Sequence, residues 1–167
     1  VCAYPAAEAV FSVTEPRYTA VAILTDKEET GSDGNTGLNS SYFKYFVSDL
    51  GDCFGANYHT VLSNTKCLSA DVNAAFDPSF PDVSEKMNAS YLNHGVVITK
   101  YTGARGKGGT SDASAEYMGK IRALLDENDV VWQTGELGKV DAGGGGTVAM
   151  YLANLDIDVV DLGVPVL

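Results

Sequence analysis

Thr19-Ala20-Val21-Ala22-Ile23-Leu24-Thr25-Asp26-Lys27-Glu28-Glu29 is the stretch on which the fold turns. Apolar and β-branched side chains occupy nearly every position from Thr19 to Leu24, the pattern of a strand covered on both faces. Such strands belong to sheets flanked by helices, and this one is predicted to deliver a cluster of acids, Asp26, Glu28 and Glu29, at its end. Upstream, Ala3 to Val13 reads as a helix with Pro5 in its first turn, where a missing N–H costs nothing. Downstream, a Gly and Asn cluster from Gly31 to Gly37 leads into a helix over Leu38 to Leu50. Tyr42, Phe43, Phe46 and Leu50 recur there at helical spacing and predict a buried aromatic stripe.

The alternation continues to the last residue. Cys67 to Ala70 is a second strand and it too presents an acid, Asp71, followed by a loop rich in Pro and Asn. Gly95 to Tyr101 reads as a third strand, Ser111 to Leu125 as a helix capped by Ser111, and Val130 to Gln133 as a short strand. Gly143-Gly144-Gly145-Gly146 precedes a predicted helix from Thr147 to Leu155, and Ile157 to Leu162 closes the series as a strand. The fold class is therefore α/β, with helices layered around a mostly parallel or mixed central sheet in a single domain over residues 1–167.

In open α/β sheets ligands bind beyond the carboxyl ends of strands. The acids after Leu24 and Asp71 after Ala70 are thus placed to meet in one crevice and to hold a hard or borderline cation. An Asp-Lys-Glu-Glu run by itself also reads as a solvated turn; Gly31, Gly34 and Gly37, which let backbone bend around a bound group, weigh toward a site. The four-glycine run is neither a Walker loop nor a dinucleotide fingerprint. It suits an anion-binding nest at a helix start, or a plain tight turn.

Several blocks in order, Asp26-Lys27-Glu28-Glu29-Thr30-Gly31-Ser32, Ser69-Ala70-Asp71, Tyr101-Thr102-Gly103-Ala104-Arg105-Gly106-Lys107 and Gly138 to Thr147, closely resemble the aminopeptidase I family of zinc metallopeptidases, which includes aspartyl aminopeptidases. The resemblance covers essentially the whole chain and implies part of a catalytic domain that removes N-terminal residues from peptides. It implies two divalent metal ions, zinc, with Glu28 the general base, Glu29 a ligand of one metal and Asp71 a ligand of the other. Gly144, Gly145 and Gly146 are assigned to shaping the substrate cleft, and Arg105 and Lys107 are read as solvated. A homo-oligomer assembled partly through a separate β-rich domain is also implied.

The departures are specific. The family's bridging aspartate lies in an Asp-Asp-Arg stretch just before the equivalent of Val1, a histidine ligand lies further upstream, and another follows the equivalent of Leu167 in Ser-Met-His. With one assigned ligand left per metal, the isolated chain is expected to be inactive and to hold zinc weakly. His59 and His94 sit in polar surroundings and are not taken as replacements. Where relatives often carry histidines after the aspartate, this chain has Asn73-Ala74-Ala75-Phe76. A competing reading is a non-catalytic assembly module with idle carboxylates, and a weaker one is a nucleotide-binding domain using the glycine run.

Composition narrows the class. Eleven basic against 22 acidic residues give a net charge of −11, which repels phosphate backbones and anionic membranes, so neither nucleic acid nor a membrane is an expected partner. No apolar run approaches the roughly 20 residues that cross a bilayer. Cys2, Cys53 and Cys67 have no pairing or zinc-site spacing, and point to a reducing, cytoplasmic setting. A first residue of Val rather than Met suggests a start within a longer gene product.

Overall fold

The computed structural model describes residues 1–105, 108–139 and 141–167. Its elements run α1 (Ala3–Ser12), a short 3-10 turn (Glu28–Thr30), α2 (Tyr42–Cys53), α3 (Tyr58–Asn64), β1 (Lys66–Ser69), β2 (Val72–Ala74) and a second 3-10 turn (Pro81–Val83). There follow β3 (Val96–Thr99), β4 (Tyr101–Ala104), β5 (Gly108–Asp112), α4 (Ala115–Glu127), β6 (Trp132–Thr134), β7 (Gly144–Gly145), α5 (Ala149–Ala153) and β8 (Asp158–Val166).

The long strand β8 organises the main sheet, whose order is β1-β8-β3-β6. It runs parallel to β1, with Ser69 opposite Asp161, and beyond Asp71 it continues parallel to β2, with Val72 opposite Val164. On its other side it pairs antiparallel with β3, Thr99 opposite Asp161, and β3 in turn pairs parallel with β6. The mixed central sheet expected from the sequence is present. Adjacent residues of a strand point to opposite faces. Val159 accordingly joins a cluster with Val47, Leu62, Ala149 and Leu152 from α2, α3 and α5, whereas Val160 joins Ile98, Tyr117, Ile121 and Leu125, the last three from α4. Helices therefore cover both faces, which is why β8 reads as a nearly continuous apolar run.

Several expected elements differ. Thr19–Leu24 forms no strand: a strand exists through its ladder partners, none of the described strands pairs with this segment, and Val21, Ile23 and Leu24 are exposed. The aromatic stripe is not buried either, since α2 starts at Tyr42 and turns Phe43, Val47 and Gly51 inward, leaving Tyr42 71% exposed. Ser111 is not a helix cap. It lies in β5 opposite Thr102, and α4 is capped instead by Ser114, whose hydroxyl accepts from the Tyr117 N–H. The run 95–101 splits into β3 and β4 around Lys100, and β4 heads a separate antiparallel sheet, β5-β4-β7. The segment after Asp71, expected as loop, supplies β2. Among the described residues no helix is long and apolar enough to cross a membrane.

Candidate active site

Glu28 opens the 3-10 turn, whose flanks are bent into left-handed backbone at Lys27 (φ 64°) and Gly31 (φ 89°). Lys27 is committed to the neighbouring Asp26 carboxylate at 2.7 Å, and this pairing holds the Asp26 carboxyl below its ordinary range. Glu28 has no such partner among the described residues. Burial raises its pKa first, and the charges of Asp71 and then Glu29 raise it further. Of the four acids predicted to share a crevice, Glu28 lies within electrostatic reach of both Asp71 and Glu29, whereas Asp26 is paired with Lys27, and the segment before Glu28 is not a strand.

Asp71 sits where β1 gives way to β2. Its Oδ1 accepts the N–H of Val72 at 2.7 Å, and its carbonyl accepts the N–H of Val164 from β8 at 3.3 Å. That close approach requires a glycine on β8: a Cβ at Gly163 would lie 1.9 Å from the Asp71 carbonyl oxygen, against backbone that has no rotamer to change. Gly163→Ala is expected to destabilise the fold by about 2–3 kcal/mol through overpacking and to displace Asp71; urea unfolding of the variant measures it.

Two groups near these acids do not stand out in the sequence. Asp161 lies on β8 in a row with Ser69 and Thr99 across three strands, and all three are buried. Its pKa is pushed up to about 6 by burial; the nearby Ser69 and Thr147 hydroxyls pull the other way, and Asp71 adds to the rise. Even so, among the described residues Asp161 Oδ1 and Ser69 Oγ find no hydrogen-bond partner of ordinary geometry. The signal that could have found it is an acid beside the apolar run of β8. Cys2, just before α1, is the second: burial and Asp71 raise its thiol pKa, which places the start of the chain beside the same cleft.

Ser69, Asp71, Asn73, Thr99, Thr147 and Asp161 line this cleft. Asn73, in the region where the family pattern departs, donates to Thr99 Oγ1 at 2.9 Å and accepts from Ser90 Oγ at 2.8 Å, so it is an interior bracket. The glycine run does not open a helix. Gly144 and Gly145 pair with Ala104 and Gly103 of β4, and α5 starts only at Ala149, so the nest of N–H groups expected at a helix start is not formed. Gly144 (φ 99°) is a glycine for packing reasons, because a Cβ there would stand 2.0 Å from the Gly103 carbonyl oxygen. With it goes the phosphate cradle that a nucleotide reading needs. Arg105 is exposed and its N–H donates to Gly143 O at 2.9 Å; Lys107 lies outside the described residues.

The donor chemistry of Glu28, Glu29 and Asp71 suits a divalent cation, whose charge would relieve their mutual repulsion. Their number falls short of a zinc site: no group of three or more His, Cys, Asp and Glu among the described residues is arranged to hold a metal. His59 packs on Tyr58 and His94 on Tyr91, at ring distances of 5.3 and 5.7 Å.

A mixed α/β sheet with carboxylates gathered where β1 ends defines a candidate hydrolase scaffold rather than a nucleotide fold. The chain belongs to the Aminopeptidase I zinc metalloprotease (M18) family, which it matches over residues 1–167. It is similar to the probable M18 family aminopeptidase 1 of Clostridium acetobutylicum, 47% identical over 171 residues, covering all of this chain and 37% of that protein. The crystal structure of the M18 aminopeptidase of Thermotoga maritima superposes with a TM-score of 0.92 at 43% identity, covering 99% of this chain and 38% of that one. The mApe1 dodecamer of S. cerevisiae shares the fold at a TM-score of 0.65 and 22% identity, over 84% of this chain and 30% of that one. The chain thus spans little more than a third of the length of such relatives.

Proposed function

We propose that the polypeptide carrying this chain is a zinc-dependent aminopeptidase. Glu28 is its general base, Glu29 and Asp71 each hold one of two divalent metal ions, and Gly144 to Gly146 border the cleft that receives the N-terminal end of a peptide. The observation that supports this reading best is the raised pKa of Glu28, a half-buried acid that feels the charges of both Asp71 and Glu29. An acid perturbed by partial burial and by neighbouring like charges fits a functional site better than a plain surface turn.

Metal, when bound, supplies polarisation of the scissile carbonyl and acidification of water. The remaining work falls to the chain. Adjacent residues of a tight turn send their side chains apart, so Glu29 serves as a ligand while Glu28 stays free to take a proton from water and return it to the departing amine. Asp71 has one carboxylate oxygen fixed by the N–H of Val72, which leaves the other to act as a ligand. We further propose a cytoplasmic homo-oligomer, in keeping with three free cysteines and with the assembly of the dodecameric relative.

The test uses the polypeptide extended to the length of its relatives: hydrolysis of aminoacyl anilides with zinc present and after chelation. Turnover abolished by chelation and restored by zinc supports the reading; zinc-replete protein without aminopeptidase turnover overturns it. The 167-residue chain alone is expected to show no turnover and only weak zinc binding by calorimetry, because it lacks a three-ligand set among its described residues. Tight stoichiometric zinc in this short chain would refute that expectation.

A further inference from the structure

We propose that Tyr151 and Asn39 are positioning residues for Glu28, acting together through the carbonyl oxygen of Gly31. The inference rests on the reading of Glu28 as general base. Gly31 caps the 3-10 turn that begins at Glu28, and its N–H donates to the Glu28 carbonyl at 3.0 Å, so the two residues are the hydrogen-bonded ends of one turn. The outer end of that turn is held twice. Tyr151 Oη donates to Gly31 O at 3.2 Å from 120 residues away, and Asn39 Nδ2 donates to the same oxygen at 3.2 Å and to Asp33 Oδ1 at 3.2 Å.

The loop has reason to need holding. Lys27 and Ser32 both adopt left-handed backbone, at φ 64° and 59°, a conformation that ordinary side chains keep only where neighbouring contacts enforce it. Inside the loop the Ser32 N–H donates to Lys27 O at 2.7 Å, and the Asn39 N–H donates to Ser32 O at 3.0 Å. Asn39 thus grips the loop through backbone and side chain at once. Tyr151 supplies what a local contact cannot, a fixed reference in the core, since its ring packs on the cluster formed by Leu38, Val47 and Leu152. It also belongs to α5, which packs with β8 through Ala149, Leu152 and Val159, so the Glu28 turn is tied to the helix layer of the main sheet.

A general base must meet its proton within hydrogen-bond reach, and displacement by about 1 Å costs on the order of a hundredfold in rate. The test is Tyr151→Phe, which removes the hydroxyl and keeps the packed ring, with Asn39→Ala and the double variant, in the polypeptide of full family length. The expected result is a fall in kcat of about tenfold for each single variant, with KM and zinc content within about twofold of wild type. The double variant is expected to fall by less than the product of the two, because both donors serve one oxygen. Amide hydrogen exchange of residues 28–32 should quicken in each. Wild-type kcat together with unchanged exchange in Tyr151→Phe overturns the inference, as does a loss confined to KM or metal content. Should the wild-type protein show no aminopeptidase turnover, the Proposed function fails by itself, and the exchange measurement still decides whether the clamp exists.

Discussion

Glu28→Gln, in the polypeptide of full family length, is expected to lower kcat by about a thousandfold, within the range general-base catalysis supplies, while zinc content stays at the wild-type level. The amide keeps the shape of the side chain and cannot accept a proton. Glu29→Gln is expected to lose metal first and turnover as a consequence. Metal analysis set beside hydrolysis rates separates the two, and equal metal loss in both variants would overturn the division of labour between these neighbours. Because burial, Asp71 and Glu29 all push the Glu28 pKa upward, metal-free protein should protonate Glu28 at a higher pH than an ordinary glutamate; zinc opposes that shift.

The second large effect is on stability. Asp161→Asn is expected to stabilise the metal-free protein at pH 8, and the sign follows from which state holds the proton more tightly. The folded-state pKa of about 6 lies above the ordinary 3.8, so between these values the native protein binds more protons than the unfolded chain. Stability therefore falls as pH rises through this window. Below about pH 4 the carboxyl is neutral in both states and its burial carries no ionic penalty; above about pH 6 the penalty is complete, about 3 kcal/mol for a rise from 3.8 to about 6. The asparagine has no such titration, so the variant's advantage should grow from near zero at pH 4 to about 1–3 kcal/mol at pH 8, the lower end allowing for the desolvation cost of a buried amide. Urea midpoints across this range measure it. A variant less stable than wild type at pH 8 would mean that those hydroxyls favour the ionised form more than burial disfavours it.

What the sequence makes legible is what depends on local pattern. The apolar run ahead of Asp71 is β1, the last apolar run is β8, and helical spacing locates α1, α2 and α4 to within a few residues. Glu28 does come within reach of the Asp71 charge, but not for the reason the sequence offers, since the apolar segment before Asp71 is a strand and the one before Glu28 is not. Pairing is not legible. Thr19–Leu24 has strand composition without a ladder neighbour, whereas β4, β5 and β7 have neighbours without strand composition, their glycines at 103, 108, 109, 144 and 145 reading as turns. Ser111 reads as a cap because nothing in its neighbourhood announces that Thr102 stands across from it. Asp161 does not declare itself, since its identity as an interior residue is set by Ser69 and Thr99, both far earlier in the chain.

That same dependence on β8 has a consequence for biosynthesis. Its neighbours β1 and β3 are made early, yet Lys66 meets Asp158 across 92 positions, and Asp71 is anchored by the Val164 N–H. During translation at roughly 5–20 residues per second, the earlier strands leave the ribosome with their edges bare and wait several seconds for the strand that joins them. Pairing over such sequence distances also makes the search itself slow. The anchoring of Asp71 consequently waits for β8. A nascent chain holds Glu28 and Asp71 on separate segments, and the contact that fixes Asp71 to Val164 is made only as the sheet closes.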